Sequence, residues 1–217
     1  MKPKTFKSHE KLTPSGRLLA SVILAAGYSS RMGHAKALLQ VSPTEASWQR
    51  ILTQHLNCGL KPLLVVSSKL SIYLKPFVSD TVLLVNPQPE KGTLSSLKLA
   101  LNKFKSASGV LIHPVDHPLV SDSTLLRLRS LHQSHPQRIL IPTSKGEKGH
   151  PVVFGVPFIP KLLAAPLDEG ARFVVRSSPS AVHLVEVEDK DILANLNSPE
   201  DLLHWRNKGY WIQKGKP

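Results

Sequence analysis

Four short apolar runs constrain this chain more than any other feature. Residues 18–26, 62–66, 81–85 and 110–112 are dominated by Leu, Ile, Val and Ala. Strands that read as continuous apolar runs are buried on both faces, which is the habit of a parallel sheet covered by helices. Between the runs lie stretches with apolar residues at helical spacing. They are Trp48, Ile51, Leu52 and Leu56 within 46–57, a short segment at 70–75, and Leu94, Leu97, Leu101 and Phe104 within 93–104. The order β-α-β-α-β-α-β predicts a three-layer α/β/α, Rossmann-like sheet, mostly parallel.

In such a sheet the ligand sits beyond the carboxyl ends of the strands. Three polar clusters fall there, at residues 27–36, 86–96 and 113–118. In the first, the opening run breaks at Gly27 into a loop with two serines, Arg31, Gly33 and Lys36. Small residues let backbone N–H groups converge on oxygen, and a guanidinium and an ammonium balance the charge of a polyphosphate. The second half is less regular. It predicts strands at 139–141, 152–154 and 182–187, the last with one wet face, and helices at 123–133, 157–164 and 169–176. A closing helix over 198–207 has Ser198 as N-cap, Pro199 at its first position and Asp201 three residues after the cap.

Of the net charge of +13, residues 1–19 and 203–217 carry +4 each. The expected organisation is a flexible basic arm at 1–17, one domain at 18–207 and a basic tail at 208–217. A basic body suits an anionic substrate. No apolar run approaches the roughly 18–20 residues of a membrane span, and the first residues lack a secretory apolar region. A single cysteine, Cys58, rules out an internal disulfide and a cysteine zinc site, and is expected to be a small packed residue. A cytoplasmic protein is the expectation. His113 and His117 are expected as solvated loop histidines rather than a metal pair.

The first loop resembles the signature of nucleotidyltransferases with the molybdenum-cofactor type of NTP transferase domain. Leu24-Ala25-Ala26-Gly27, Ser29, Arg31-Met32-Gly33 and Lys36 match it without a mismatch. Gly92, Ser95, Ser96 and Leu97 resemble the family's Gly-x-x-Ser-Ser-Leu, and Asp116-His117-Pro118 its Asp-x-Pro. Gly149-His150-Pro151 resembles a segment of the molybdenum cofactor cytidylyltransferases. Asp168 with Gly170-Ala171-Arg172, and the stretch from Asn195 to Leu202, resemble two later motifs. Residues 41–50 depart from the family's usual Gly-x-Pro-Leu-Leu, which leaves the start of the following helix open.

The resemblance implies a nucleotide-diphospho-sugar-transferase type of fold and a magnesium-dependent transfer of a nucleotidyl group to a phosphorylated acceptor, with release of pyrophosphate. Arg31 would take the β/γ oxygens and Lys36 the α-phosphate, with Asp116 completing the catalytic set. Leu24, Ala25, Ala26, Gly27, Ser29, Gly33, Asn86, Gly92, Ser95 and Ser96 would contact the nucleotide, and His150 would sit on the acceptor side. Asp116 and Asn197 would hold Mg2+. From local sequence alone Asp116 reads as a cap or turn aspartate, Asn197 as a turn residue, and Ser95 and Ser96 equally as helix caps.

Ala26 matches the Ala-Ala-Gly of cytidylyltransferases, where guanylyltransferases more often have Gly-Gly. The Gly-His-Pro segment points the same way, so CTP and molybdopterin are the expected substrates. Asn195-Leu196-Asn197 resembles the guanylyltransferase ending as much. Transfer of another nucleotide to a sugar or isoprenoid phosphate is the alternative within the same chemistry. A non-catalytic basic binding protein on this scaffold is the alternative outside it. A molybdoenzyme or its chaperone is a further partner the resemblance implies; neither a membrane nor nucleic acid is expected.

Overall fold

The computed structural model describes residues 18–29, 32–79, 82–104 and 106–215. The expected arm at 1–17, the last two residues and Arg31 lie outside the described residues. Strand β1 (Leu19–Ala25) is followed by a hairpin of β2 (Gln40–Ser42) and β3 (Glu45–Ala46). Then come α1 (Ser47–Asn57), β4 (Lys61–Ser67), α2 (Ser68–Leu74), β5 (Leu83–Asn86), α3 (Thr93–Leu101) and β6 (Gly109–Pro114). The second half holds α4 (Asp122–Ser134), β7 (Ile139–Ser144), β8 (Glu147–Lys148), β9 (Val152–Gly155), α5 (Phe158–Ala164) and α6 (Arg172–Arg176). It closes with β10 (Val182–Glu186) and α7 (Pro199–Asn207).

The main sheet runs β10-β7-β9-β6-β1-β4-β5, with β8 paired to β7. The pairs β1–β4, β1–β6, β4–β5 and β7–β10 are parallel, and β9 runs antiparallel to both its neighbours. All seven residues of β1 are buried, and all but Ser21 are apolar. Its side chains alternate between two cores. Val22 and Leu24 pack with α3 residues Leu94 and Leu97, whereas Ile23 and Ala25 pack with Trp48 and Ile51 of α1. The three-layer α/β/α architecture follows from that double burial.

After β1 the chain goes first to β4 on one side and later to β6 on the other. The crossovers therefore diverge at the carboxyl end of β1, and a crevice opens there. The loops leaving β1, β5 and β6 surround it.

Several expectations need correction. The helix over 169–176 begins only at Arg172, because Gly170 takes a left-handed φ of +66° that breaks the turn. In β10 the wet face includes an apolar side chain: Leu184 is 49% exposed while Val185 is buried. The hairpin of β2 and β3 has strands too short for a periodic signal, and helix α1 starts just after it at Ser47. The segment after α7, expected as a basic tail, folds back as far as residue 215. Gln213 exchanges both backbone hydrogen bonds with Gln40 at 2.9 Å, and Ile212 is buried against Leu39 and Val41. Its charge count gave no weight to that apolar anchor. Cys58 is a buried free thiol whose backbone N–H caps α1 by donating to the Gln54 carbonyl.

Candidate active site

The loop after β1 is organised by Ser29. Its backbone is left-handed, with φ +52°. Its carbonyl accepts the N–H groups of Met32 (2.9 Å) and Gly33 (3.2 Å), and its hydroxyl accepts the N–H of Lys36 (3.1 Å). The single serine thus folds the loop over itself and aims Lys36, the first residue of a 3-10 turn over Lys36–Leu38. Gly33 supports the turn with φ +61°. A Cβ built on Gly27 would meet nothing within 4 Å, so the backbone there faces open cleft.

Lys36 reaches across to two other loops. Its Nζ donates to Asp116 Oδ2 at 3.1 Å and to Asn197 Oδ1. Asp116 leaves the end of β6, and its carbonyl accepts the N–H of Leu196 at 2.8 Å, which ties it to the segment carrying Asn197. That segment is held by the cap of α7: Asp201 Oδ2 accepts from the N–H groups of Asn197 and Ser198, each at 2.9 Å, and Ser198 Oγ accepts from Asp201 N–H. An ammonium, a carboxylate and an amide oxygen from three distant parts of the sequence therefore meet at one point.

The turn between β5 and α3 forms the opposite wall. Asn86 is almost fully buried, and its Nδ2 donates to Ser95 Oγ and Ser96 Oγ, both at 2.9 Å. Its Oδ1 accepts Gln88 N–H at 2.9 Å. Neither serine caps the helix; the N-cap is Gly92, with φ +86°, and Ser95 Oγ donates to its carbonyl at 2.7 Å. Ser96 is 3% exposed and lines the cleft itself, while the buried Asn86 amide holds both hydroxyls from behind.

Two compartments join at Lys36 and Asp116. A narrow one of about 200 Å3 lies between the first loop, with Leu24, Ala25, Ala26, Gly27 and Ser29, and the wall at Gly92, Thr93 and Ser96. A wider one of about 1010 Å3 is lined by Lys91, His117, His150, Asp168, Arg172 and Asn195 among others. His117 and His150 face each other there, with ring centres 4.6 Å apart, and the Nδ1 of each is buried without a hydrogen-bond partner among the described residues.

His113 and His117, expected in solvent, are buried at 0% and 6% exposure. Burial is the main cause that pushes both down to about 3, with repulsion from His150 adding to it. His117 is therefore neutral, and its Nε2 at 4.0 Å from Asp116 Oδ1 makes no ion pair. Burial also lowers His150, against the pull of Asp116. The Asp116-His117-Pro118 motif was the one signal that could have placed His117 in the site.

The structure thus brings together Lys36, Asp116, Asn197, Gly92, Ser96, His150, the residues from Leu24 to Gly27 and Ser29 along the two compartments, whereas Asn86 and Ser95 stand behind that wall and Gly33 lines neither compartment. Residues 21–183 match the MobA-like NTP transferase domain. The chain belongs to that family. It is 30% identical over 193 residues to a probable molybdenum cofactor guanylyltransferase of Rhodopirellula baltica, covering 85% of this chain and 90% of the relative. It is 24% identical over 190 residues to the molybdenum cofactor cytidylyltransferase of Escherichia coli K12, covering 84% and 92%. In fold it resembles the crystal structure of Rv0371c from Mycobacterium tuberculosis H37Rv, with TM-score 0.76, 24% identity and coverage of 87% and 96%. The family is one of nucleotidyltransferases, and no helix among the described residues is long and apolar enough to cross a membrane.

Proposed function

We propose that this chain transfers a cytidylyl group from CTP to the terminal phosphate of molybdopterin or its metal-loaded form. The observation that carries the reading is the meeting of Lys36, Asp116 and Asn197 where the narrow and wide compartments join. In this reading the narrow compartment holds the nucleotide and the wide one the acceptor. An oxygen of the acceptor phosphate bonds to the α-phosphorus as the bond to pyrophosphate breaks, and the electron pair leaves with pyrophosphate. An ionised phosphate needs no general base, so the protein's task is alignment and neutralisation of charge. Lys36 supplies an ammonium at that junction, and Arg31 would supply a planar guanidinium to the leaving phosphates.

Asp116 and Asn197 would hold a magnesium ion. Their oxygens already converge on one cationic group, the Lys36 ammonium, and a carboxylate with an amide oxygen is a hard donor set suited to that metal. Among the described residues no group of three or more His, Cys, Asp and Glu assembles, so the other ligands would be phosphate and water. When bound, the ion would neutralise charge developing on the phosphates.

Ala26 and the Gly-His-Pro segment support CTP. GTP is the second reading, favoured by the relative at 30% identity and by Asn195 and Asn197. A thermal-shift panel of the four NTPs, with and without Mg2+, tests the site. The preferred nucleotide at a hundred times its Kd should stabilise the protein by about 2.7 kcal/mol. Pyrophosphate release with molybdopterin tests the reaction. Absence of turnover with every NTP across a set of phosphorylated acceptors would sink the reading.

A further inference from the structure

Beneath the Asp116 loop runs a buried polar chain that the transfer reading does not use. Ser21 in the middle of β1, His55 in α1 and His113 in β6 are all at 0% exposure. Ser21 Oγ lies 2.5 Å from His55 Nδ1, His55 Nε2 lies 2.8 Å from His113 Nδ1, and His113 Nε2 lies 2.9 Å from the carbonyl oxygen of His117. The last partner fixes the polarity of the whole chain. A carbonyl only accepts, so His113 carries its proton on Nε2 and its Nδ1 is bare. His55 must then donate from Nε2, which leaves its own Nδ1 to accept from the Ser21 hydroxyl. Burial holds both rings well below the ordinary histidine range, so both are neutral.

Three buried polar groups between a packed sheet and its covering helix are costly unless each is satisfied, and here each is. Apolar side chains would fill the same space more cheaply, so their position matters. The chain ends on the residue after Asp116. Helix α1 holds the same loop twice more: Arg50 Nε donates to the Pro118 carbonyl at 2.9 Å, and Gln54 Nε2 to the Val120 carbonyl at 2.8 Å. At its other end α1 is fastened next to Lys36, because Ser47 donates its N–H to the Leu39 carbonyl at 2.7 Å. One helix therefore spans the distance between the loop of Lys36 and the loop of Asp116.

We propose that the buried chain of Ser21, His55 and His113 is a positioning device that sets Asp116 against Lys36 through the carbonyl of His117. It rests on the reading of Lys36 and Asp116 as the transfer centre. None of the three residues reaches the cleft. Their effect is on the geometry in which the nucleotide and acceptor phosphates align, where a displacement of about 1 Å can cost about a hundredfold in rate.

The test uses the full chain with four substitutions: His113→Leu, His113→Gln, Ser21→Ala and His132→Gln. His132 is a buried histidine bonded to Ser108 beside Gly109, at the far end of β6, and controls for lost stability alone. The amide of His113→Gln can still donate to the His117 carbonyl. Ring-nitrogen NMR of the wild type should show protons on Nε2 of His55 and His113; a proton on Nδ1 of either overturns the chain's polarity and the proposal with it. His113→Leu should lower kcat about 10- to 100-fold with KM for the nucleotide within about threefold. His113→Gln should recover most of the loss, Ser21→Ala should show a smaller one, and His132→Gln none. A His113→Leu protein with kcat within about twofold of wild type overturns the proposal, as does an equal kcat loss in His132→Gln. If His113→Leu does not fold, unchanged kcat and unchanged amide exchange in Ser21→Ala overturn it. If the wild type turns over no NTP, the transfer reading fails by itself, and amide exchange decides the chain's role. The N–H groups of Val115, His117 and Leu196 should exchange faster in His113→Leu and recover in His113→Gln, and equal exchange in all variants overturns it.

Discussion

Lys36 Nζ lies 3.1 Å from Asp116 Oδ2, although eighty residues separate the two in sequence. Both side chains are mostly buried, and Asn197 completes the contact. In the proposed transfer such a cluster would act as a unit in alignment and charge neutralisation. Lys36→Met and Asp116→Asn should each lower kcat by about 10²- to 10³-fold at saturating nucleotide and Mg2+. The double variant should lose little more than the worse single one. Steady-state pyrophosphate release measures all three, and multiplicative losses would mean that the two residues act separately.

The cap of α7 sets the position of Asn197. Asp201 Oδ2 takes the N–H groups of both Asn197 and Ser198. Asp201→Ala should therefore cost about 1–2 kcal/mol of stability, as lost caps do. That corresponds to a fall in Tm of about 2–8 °C for a domain of this size. It should also raise the Mg2+ concentration for half-maximal activity. Ser198→Ala keeps the Asp201 bond to Asn197 N–H and should destabilise the helix with a smaller change in Mg2+ requirement. Equal effects of the two on that requirement would count against a metal held by Asn197.

That cap was fully legible in the sequence, because Ser198, Pro199 and Asp201 act within one turn. The strands were legible for a similar reason: a run such as residues 19–25, apolar at every position but Ser21, signals burial on both faces without reference to any partner. The first loop was legible as a turn of small residues that carries Lys36 to the strand ends, since those residues are contiguous. What the sequence hid depends on distant partners. His113 and His117 look like loop residues because nothing nearby indicates that His55, 58 positions away from His113, will supply a hydrogen bond. Asn86 reads as a strand end before Pro87, yet it orders both serines of the opposite wall. The return of Gln213 to Gln40 joins segments with no common pattern.

Acid should destabilise the fold through its buried histidines. His113 is pushed down to about 3 and His132 to about 4, in both cases mainly by burial, and His55 lies well below 6.5. In the unfolded chain each protonates near the ordinary value of 6.5. Below that pH the unfolded state binds protons that the folded state does not, so stability falls as pH drops from about 6.5 towards 3. Each such histidine contributes a slope of up to about 1.4 kcal/mol per pH unit within its window. Urea midpoints measured from pH 7.5 to 4 should decline, and His132→Gln should flatten the decline between about 6.5 and about 4. A midpoint that stays constant over that range would mean that these rings are protonated in the folded protein.

Ala26 is buried at 4% exposure and lines the narrow compartment opposite Gly92 and Ser96. Its methyl group reduces the room available at the wall where a base would lie. A methyl-sized difference in a pocket changes discrimination by about 1–3 kcal/mol, or roughly 10- to 200-fold. Ala26→Gly should therefore lower the ratio of kcat/KM for CTP to that for GTP by about tenfold, chiefly by admitting the larger purine. The Tm should fall by no more than a few degrees, since one buried methyl group is lost. A ratio that moves by less than about twofold would place base selection elsewhere. Asn86 is then the next residue to change, because its amide fixes both serine hydroxyls on the facing wall.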